Sequence, residues 1–313
     1  MTTFSWEIKE IENEEVVHPI LEDAKVKLFV KREDLLHDHV SGNKFRKLKY
    51  NFIEAKKQGF DKVLTFGGAY SNHIAATAAA GKIVGLETMG IIRGEELAKD
   101  IENTLLENST LRFASENGMR LNFIPRASYR NKTTKSFLEK LGAEFGPFYC
   151  IPEGGTNELA VQGCGEIIGE KDYNFDIICC AVGTGGTISG ISNGSYKHQR
   201  IIGFPALKGS FLSEEIKKYT KYSNWDLLNK YHFNGYGKIN LELIEFINTF
   251  KKEQNIPLDP IYTGKMMYGI FDMIKEGVFT KNTRILAVHT GGLQGIAGMN
   301  KKLEKKNFPL ITI

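Results

Sequence analysis

The sequence predicts an α/β fold: an open, mostly parallel sheet with helices on both faces. Three observations predict it. Short apolar runs end in paired glycines. Stretches of helical length and period alternate with those runs. And 32 glycines stand against only 8 prolines in 313 residues, a mix suited to tight strand-to-helix turns rather than to linkers.

The elements follow in chain order. Phe45, Leu48, Phe52 and Ala55 recur at helical spacing. Lys62–Phe66 (KVLTF) reads as a strand, closed by Gly67–Gly68 and followed by the alanine-rich Asn72–Ala80. Leu111–Leu141 is expected to hold another unit, a helix before Gly118 and then a strand at Leu121–Ile124. Asp176–Val182 (DIICCAV) reads as a buried strand, then Gly183–Gly186, then a helix from Thr187; Ile201–Phe204 is the next strand. Leu241–Phe250 is helical by period. Arg284–His289 (RILAVH) is the last strand, with Gly291–Gly292 and a helix over Leu293–Leu303 behind it. Ligands of such sheets gather at the carboxyl ends of strands, where these glycine turns lie.

Composition narrows the function classes. The length suits two domains or one large one. Hydrophobic residues at 42% and charged residues at 25% exclude wholesale disorder. The net charge is +4, and no basic stripe with interleaved aromatics marks a nucleic-acid partner. No apolar run approaches the roughly 20 residues of a membrane span, and Met1–Glu15 carries no signal-peptide pattern. Cys150, Cys164, Cys179 and Cys180 form no C-x-x-C pair and read as small buried hydrophobes of a reducing, cytoplasmic protein. His37 and His39 flank Asp38 but lack the spacing and partners of a metal site, so no metal is expected.

Three motifs carry chemistry. In Gly183-Thr184-Gly185-Gly186-Thr187, the strongest phosphate-binding candidate, glycine N–H groups and a helix N-terminus can cradle a phosphate; tight helix–sheet packing is the alternative account of the glycines. It is no dinucleotide fingerprint: the final glycine position holds Ile188, and the strand ending at Phe204 offers no acid for a ribose. In Ser41-Gly42-Asn43-Lys44-Phe45-Arg46-Lys47-Leu48, Lys44 opens a helix, where it is either solvated or made nucleophilic by Arg46, Lys47 and the helix dipole. In Gly67-Gly68-Ala69-Tyr70-Ser71-Asn72-His73, Ser71 and Asn72 sit at a strand-to-helix turn, as an N-cap or as an anion or phenolate site. A reactive lysine and a separate phosphate cradle together suggest pyridoxal 5'-phosphate (PLP).

The motifs together resemble a known family. Asn43-Lys44-x-Arg46-Lys47-Leu48, the Gly-Gly-x-x-Ser71-Asn72 turn and the Gly183–Thr187 loop resemble the 1-aminocyclopropane-1-carboxylate (ACC) deaminase/D-cysteine desulfhydrase family. Pro152-Glu153-Gly154-Gly155-Thr156-Asn157, Gly235-Tyr236-Gly237, Asp259-Pro260-Ile261-Tyr262-Thr263-Gly264-Lys265 and His289-Thr290-Gly291-Gly292 extend the resemblance in order from about Lys31 to Gly292. The resemblance implies a tryptophan synthase β-like PLP fold with two open, mostly parallel sheets. A large domain would span 1–47 and 159–313, and a smaller inserted α/β domain 48–158. Lys44 would be the Schiff-base lysine. Lys47, Gly183, Thr184, Gly185, Gly186 and Thr187 would hold the phosphate. Asn72 would bond the ring hydroxyl, and Thr290 would face the ring. Ser71, Asn72 and His73 would receive the substrate carboxylate, and Tyr236 and Tyr262 would act as acid/base or positioning groups. A homodimer acting on a small amino acid is implied.

Within that family, ACC deaminases carry Tyr-Glu-Gly-Lys and His-Leu-Gly-Gly, whereas this chain has Thr263 and Thr290 at the variable positions. Both threonines match the desulfhydrase side. The expected reaction is α,β-elimination on D-cysteine or a related β-substituted D-amino acid, giving pyruvate, ammonia and sulfide. ACC ring opening and non-catalytic PLP or phosphate binding are the alternatives. Tyr70 replaces the family's common glutamine, and Ala75 and Ala76 replace larger polar residues. Tyr70 is therefore expected to narrow or reshape the pocket.

Overall fold

A computed structural model describes residues 6, 10–209 and 211–313. The reading of Met1–Glu15 falls partly outside them. Among the described residues ten strands form two sheets. They are β1 (Asn13–Val16), β2 (Lys27–Lys31), β3 (Lys62–Gly68), β4 (Glu87–Arg93), β5 (Arg120–Ile124), β6 (Tyr149–Ile151), β7 (Ile177–Val182), β8 (Arg200–Pro205), β9 (Trp225–Leu227) and β10 (Arg284–Val288). The larger sheet has the order β1-β2-β10-β7-β8-β9, and the smaller β5-β4-β3-β6. Every pairing is parallel except β1 with β2. The fold is α/β with two mostly parallel sheets.

The central strands are apolar on both faces because helices cover both. On one face of the larger sheet, Cys179, Ala181, Ile285 and Ala287 pack against helices Leu241–Gln254, Thr263–Lys275 and Gly295–Glu304. On the other, Ile178, Cys180, Leu286 and Val288 meet helices Glu158–Gly165, Gly186–Gly194 and Phe211–Lys217. In the smaller sheet Val63 packs with Phe45, Leu48, Phe52 and Ala55 of helix Asn43–Lys57. That helix also lies along Glu158–Gly165, so it touches both layers. Close helix contact requires small residues there: a Cβ on Gly163 would stand 2.0 Å from the Arg46 carbonyl oxygen.

The expected strands and helices are present with shifted ends. The run through Gly68 stays extended, and the helix after β7 begins at Gly186, one residue before Thr187. The C-terminal helix starts at Gly295, two residues after Leu293. Cys164, Cys179 and Cys180 are buried, but Cys150 is only partly so; all four are free thiols. His37 spends its Nδ1 accepting from the backbone N–H groups of His39 and Val40. Among the described residues no helix is long and apolar enough to cross a membrane.

Candidate active site

The two sheets aim the carboxyl ends of their strands at one cavity of about 840 Å³. Residues following β3, β6, β7 and β10 line it. Of the thirteen residues singled out in the sequence, twelve line it directly: Lys44, Lys47, Ser71, Asn72, His73, Gly183, Thr184, Gly185, Thr187, Tyr236, Tyr262 and Thr290. Gly186 lies behind the lining. A Cβ there would stand 2.8 Å from Thr156 Oγ1 and 3.2 Å from Lys47 Nζ.

Lys44 and Lys47 are one turn apart on helix Asn43–Lys57 and share a face. Lys44 Nζ donates to Asn43 Oδ1 at 2.9 Å, and Asn43 Nδ2 donates to Thr187 Oγ1 at 2.8 Å. Lys47 is only 2% exposed. Its ammonium donates to Gly154 O at 3.0 Å, Thr156 Oγ1 at 2.9 Å and Thr184 Oγ1 at 3.4 Å, all neutral oxygens. The neighbouring cations are paired: Arg46 with Glu33 and Lys49 with Glu166. Among the described residues no carboxylate pairs with Lys44 or Lys47. Burial without a counter-charge disfavours the ammonium. Lys44 falls from 10.5 to about 7, through burial first and the Lys47 charge second. Burial lowers Lys47 too. The expectation that Arg46 depresses Lys44 is corrected: its guanidinium forms a two-bond fork with Glu33, both at 2.8 Å, which neutralises it.

The loop after β7 turns on Gly185, whose φ of 88° lies in the left-handed region that favours glycine. Backbone N–H groups at the N-terminus of helix Gly186–Gly194 then face the cavity with the dipole's positive end. The Pro152–Asn157 motif supplies the adjoining wall. Gly154 offers its carbonyl to Lys47, and a Cβ at Gly155 would stand 2.9 Å from His73 Cε1. Thr156 and Thr184 share a hydroxyl bond at 2.6 Å beside Lys47.

Ser71 caps helix Asn72–Val84, accepting from Ile74 N at 3.4 Å, and Asn72 is the first residue inside it. His73 is buried. Thr65 donates its one hydroxyl proton to Ile151 O, so it accepts from His73 Nε2–H at 2.8 Å. His73 Nδ1 is then a bare acceptor, buried and without a partner. Burial first, then Lys44 and Lys47, hold the imidazole well below its ordinary 6.5. A neutral ring with its only N–H committed cannot donate to a carboxylate, so donation at this turn falls to Ser71, Asn72 and the backbone.

Tyr236 and Tyr262 meet edge to face, with centroids 6.1 Å apart. Two residues position them that sequence reasoning left without a role, though both lie in the Asp259–Lys265 motif. Asp259 accepts from the backbone N–H groups of Ile261, Tyr262 and Thr263 and from Thr263 Oγ1, at 2.8–3.0 Å. Lys265 donates to the carbonyls of His232 and Gly235 at 2.9 Å, pinning the turn that presents Tyr236. Thr263 is therefore spent on Asp259 and does not line the cavity; Thr290 does. Tyr70 lines it too, but packs on the C-terminal helix: a Cβ at Gly298 would stand 2.7 Å from its ring, and Lys302 Nζ lies 5.0 Å over the ring.

PLP fits this donor set. A depressed amine can meet an aldehyde, and an uncompensated buried ammonium beside a glycine turn and helix N-terminus can meet a phosphate dianion. Comparison with known proteins agrees. Residues 16–291 match the family described as pyridoxal-phosphate dependent enzymes. An Arabidopsis thaliana protein named bifunctional D-cysteine desulfhydrase/1-aminocyclopropane-1-carboxylate deaminase is 32% identical over 301 residues, covering 86% of this chain and 73% of its own. A Pyrococcus abyssi protein, provisionally named 1-aminocyclopropane-1-carboxylate deaminase, is 31% identical over 300 residues and covered at 88% of each chain. A crystal structure described as an ACC deaminase homologue superposes with a TM-score of 0.78 at 29% identity, over 95% of this chain and 94% of that one. Threonine deaminase isoform 2 from Solanum lycopersicum, at 16% identity and a TM-score of 0.62 over 91% of this chain and 80% of that one, shares the fold. The chain thus belongs to the pyridoxal-phosphate dependent enzymes, in the ACC deaminase/D-cysteine desulfhydrase family.

Proposed function

We propose that the protein cleaves D-cysteine or a related β-substituted D-amino acid by α,β-elimination, converting D-cysteine and water to pyruvate, ammonia and hydrogen sulfide. Bound PLP supplies an aldehyde for amines to join and a ring that accepts the electrons of a broken C–H bond. Lys47 and the 183–187 turn bind its phosphate. Asn72 and the N-terminus of helix Asn72–Val84 hold an anionic carboxylate or phenolate at the turn. Lys44, with an ammonium pKa near neutrality, releases and takes up a proton at Nζ. Tyr236 and Tyr262 bracket the substrate side, Tyr262 held well above 10 by burial and so a proton donor rather than a phenolate.

The observation that carries the choice of reaction is Thr290. By the family resemblance it faces the ring, and a hydroxyl there does not stabilise a protonated pyridine as a carboxylate would. Among the described residues the two carboxylates that line the cavity are committed elsewhere, Glu153 to Tyr129 and Lys132, Glu215 to Lys218. Opening a cyclopropane expels carbon and gains from a protonated ring. A thiol with a pKa of about 8.5 leaves without that help. The second reading, ACC ring opening, is favoured by the Arabidopsis relative's name, which carries both activities. Purified enzyme with PLP, offered D-cysteine, L-cysteine and ACC, is expected to release sulfide and pyruvate from D-cysteine. Release of 2-ketobutyrate from ACC with no sulfide from D-cysteine overturns the proposal. A homodimer is part of the same reading, and light scattering at twice the chain mass is its test.

A further inference from the structure

Arg93 ends β4, and its register partner on β3 is Gly68, three residues before Ser71. A Cβ at Gly68 would stand 3.5 Å from Arg93 Nη2, so the guanidinium folds back across the end of β3 toward the cavity it lines. Its Cζ lies 5.7 Å from the Tyr129 ring centroid, which steadies the head group. Lys132 stands 4.8 Å over the same ring, but its charge is cancelled by Glu153 at 3.2 Å. Glu153 also accepts from the Tyr129 hydroxyl at 2.8 Å. Arg93 has no such partner: among the described residues no carboxylate lies within ion-pair distance of it. Arg93 is solvent-exposed at the cavity that it and Tyr236 both line, and its charge acts on the Tyr236 phenol, which desolvation raises. Neither D-cysteine nor ACC carries an anion beyond its α-carboxylate, and a cavity of about 840 Å³ has room for one.

We propose that Arg93 is a specificity-determining residue that binds an anionic group on the substrate's side chain, so that the preferred substrates are β-substituted amino acids whose substituent ends in a carboxylate. The inference rests on the elimination reading and narrows its substrate class. With S-carboxymethyl-D-cysteine, the Cα–H proton passes to the Lys44 amine, the Cβ–S bond breaks with its electron pair leaving on the thioglycolate sulfur, and water turns the remaining three-carbon enamine into pyruvate and ammonia.

The test compares S-carboxymethyl-D-cysteine with its isosteric amide, S-carbamoylmethyl-D-cysteine, on holoenzyme. Binding is read from the change in the cofactor's visible absorption, and KM and kcat from pyruvate release. A charge-assisted fork to a carboxylate predicts about ten- to hundredfold tighter binding of the acid than of the amide, expressed in KM rather than kcat. Arg93→Gln is expected to bring that ratio to about one, and Arg93→Lys to restore part of it. Equal binding of acid and amide by the wild type overturns the inference, as does an unchanged ratio in Arg93→Gln. If the amino acids perturb the absorption but D-cysteine yields no sulfide, the elimination reading fails while the acid-to-amide ratio still decides the role of Arg93. If no amino acid perturbs it, both fail.

Discussion

Lys44 should titrate near pH 7 in the protein without cofactor. At pH 7.4 a lysine with a pKa of about 7 is about 70% free amine, whereas one at the ordinary 10.5 is about 0.1% free amine, a difference of nearly a thousandfold in nucleophile. Trace labelling with acetic anhydride, read by mass spectrometry of the Lys44 peptide, measures this directly. The rate is expected to rise with pH and level off above about pH 8. Burial is the larger cause and the Lys47 charge the smaller, so Lys47→Gln should move the midpoint upward, only partway to 10.5. The same shift has a thermodynamic face. Between pH 7 and 10.5 the unfolded chain holds a proton at this position that the folded chain has lost, so stability without cofactor rises with pH across that window. The Lys44 share of that rise is at most about 5 kcal/mol, and Lys44→Met should lessen the rise, leaving what Lys47 and Lys265 contribute in the same direction. Labelling that still climbs with unit slope beyond pH 9 would refute the burial argument.

Other outcomes follow from the geometry. Gly186→Ala pushes a Cβ against Thr156 and Lys47, so it should cost about 1–3 kcal/mol and weaken PLP retention, measured by melting temperature and by dialysis against buffer. Lys265→Met releases the carbonyls of His232 and Gly235; turnover should fall with Tyr236 misplaced, while the visible PLP band persists. Asp259→Ala leaves three backbone N–H groups and the Thr263 hydroxyl without their acceptor, a loss of about 2–4 kcal/mol by denaturant titration. His73 is held neutral, so as pH falls below 6.5 the unfolded chain gains a proton that the fold refuses and stability declines. His73→Gln should lessen that decline in an acid unfolding series.

The chain's own pattern determined the α/β class, the three glycine turns and the lysine pair, because each is local. Phe45, Leu48, Phe52 and Ala55 keep one helical period, and a buried parallel strand such as Ile177–Val182 is apolar throughout whatever surrounds it. Five strands escaped the same reading: β1, β6 and β9 have only three or four residues, too few for a period to show, and β2 and β4 are not closed by paired glycines. Roles decided by contacts across the chain were equally hidden. Nothing local shows that Arg46 is neutralised by Glu33 or that Lys265 reaches back to the turn holding Tyr236. Side-chain charge is written in the residues, but its partner, its desolvation and therefore its pKa are settled only when distant segments pack together. That is why the sequence could nominate Lys44, and only the assembled cavity could leave it an amine.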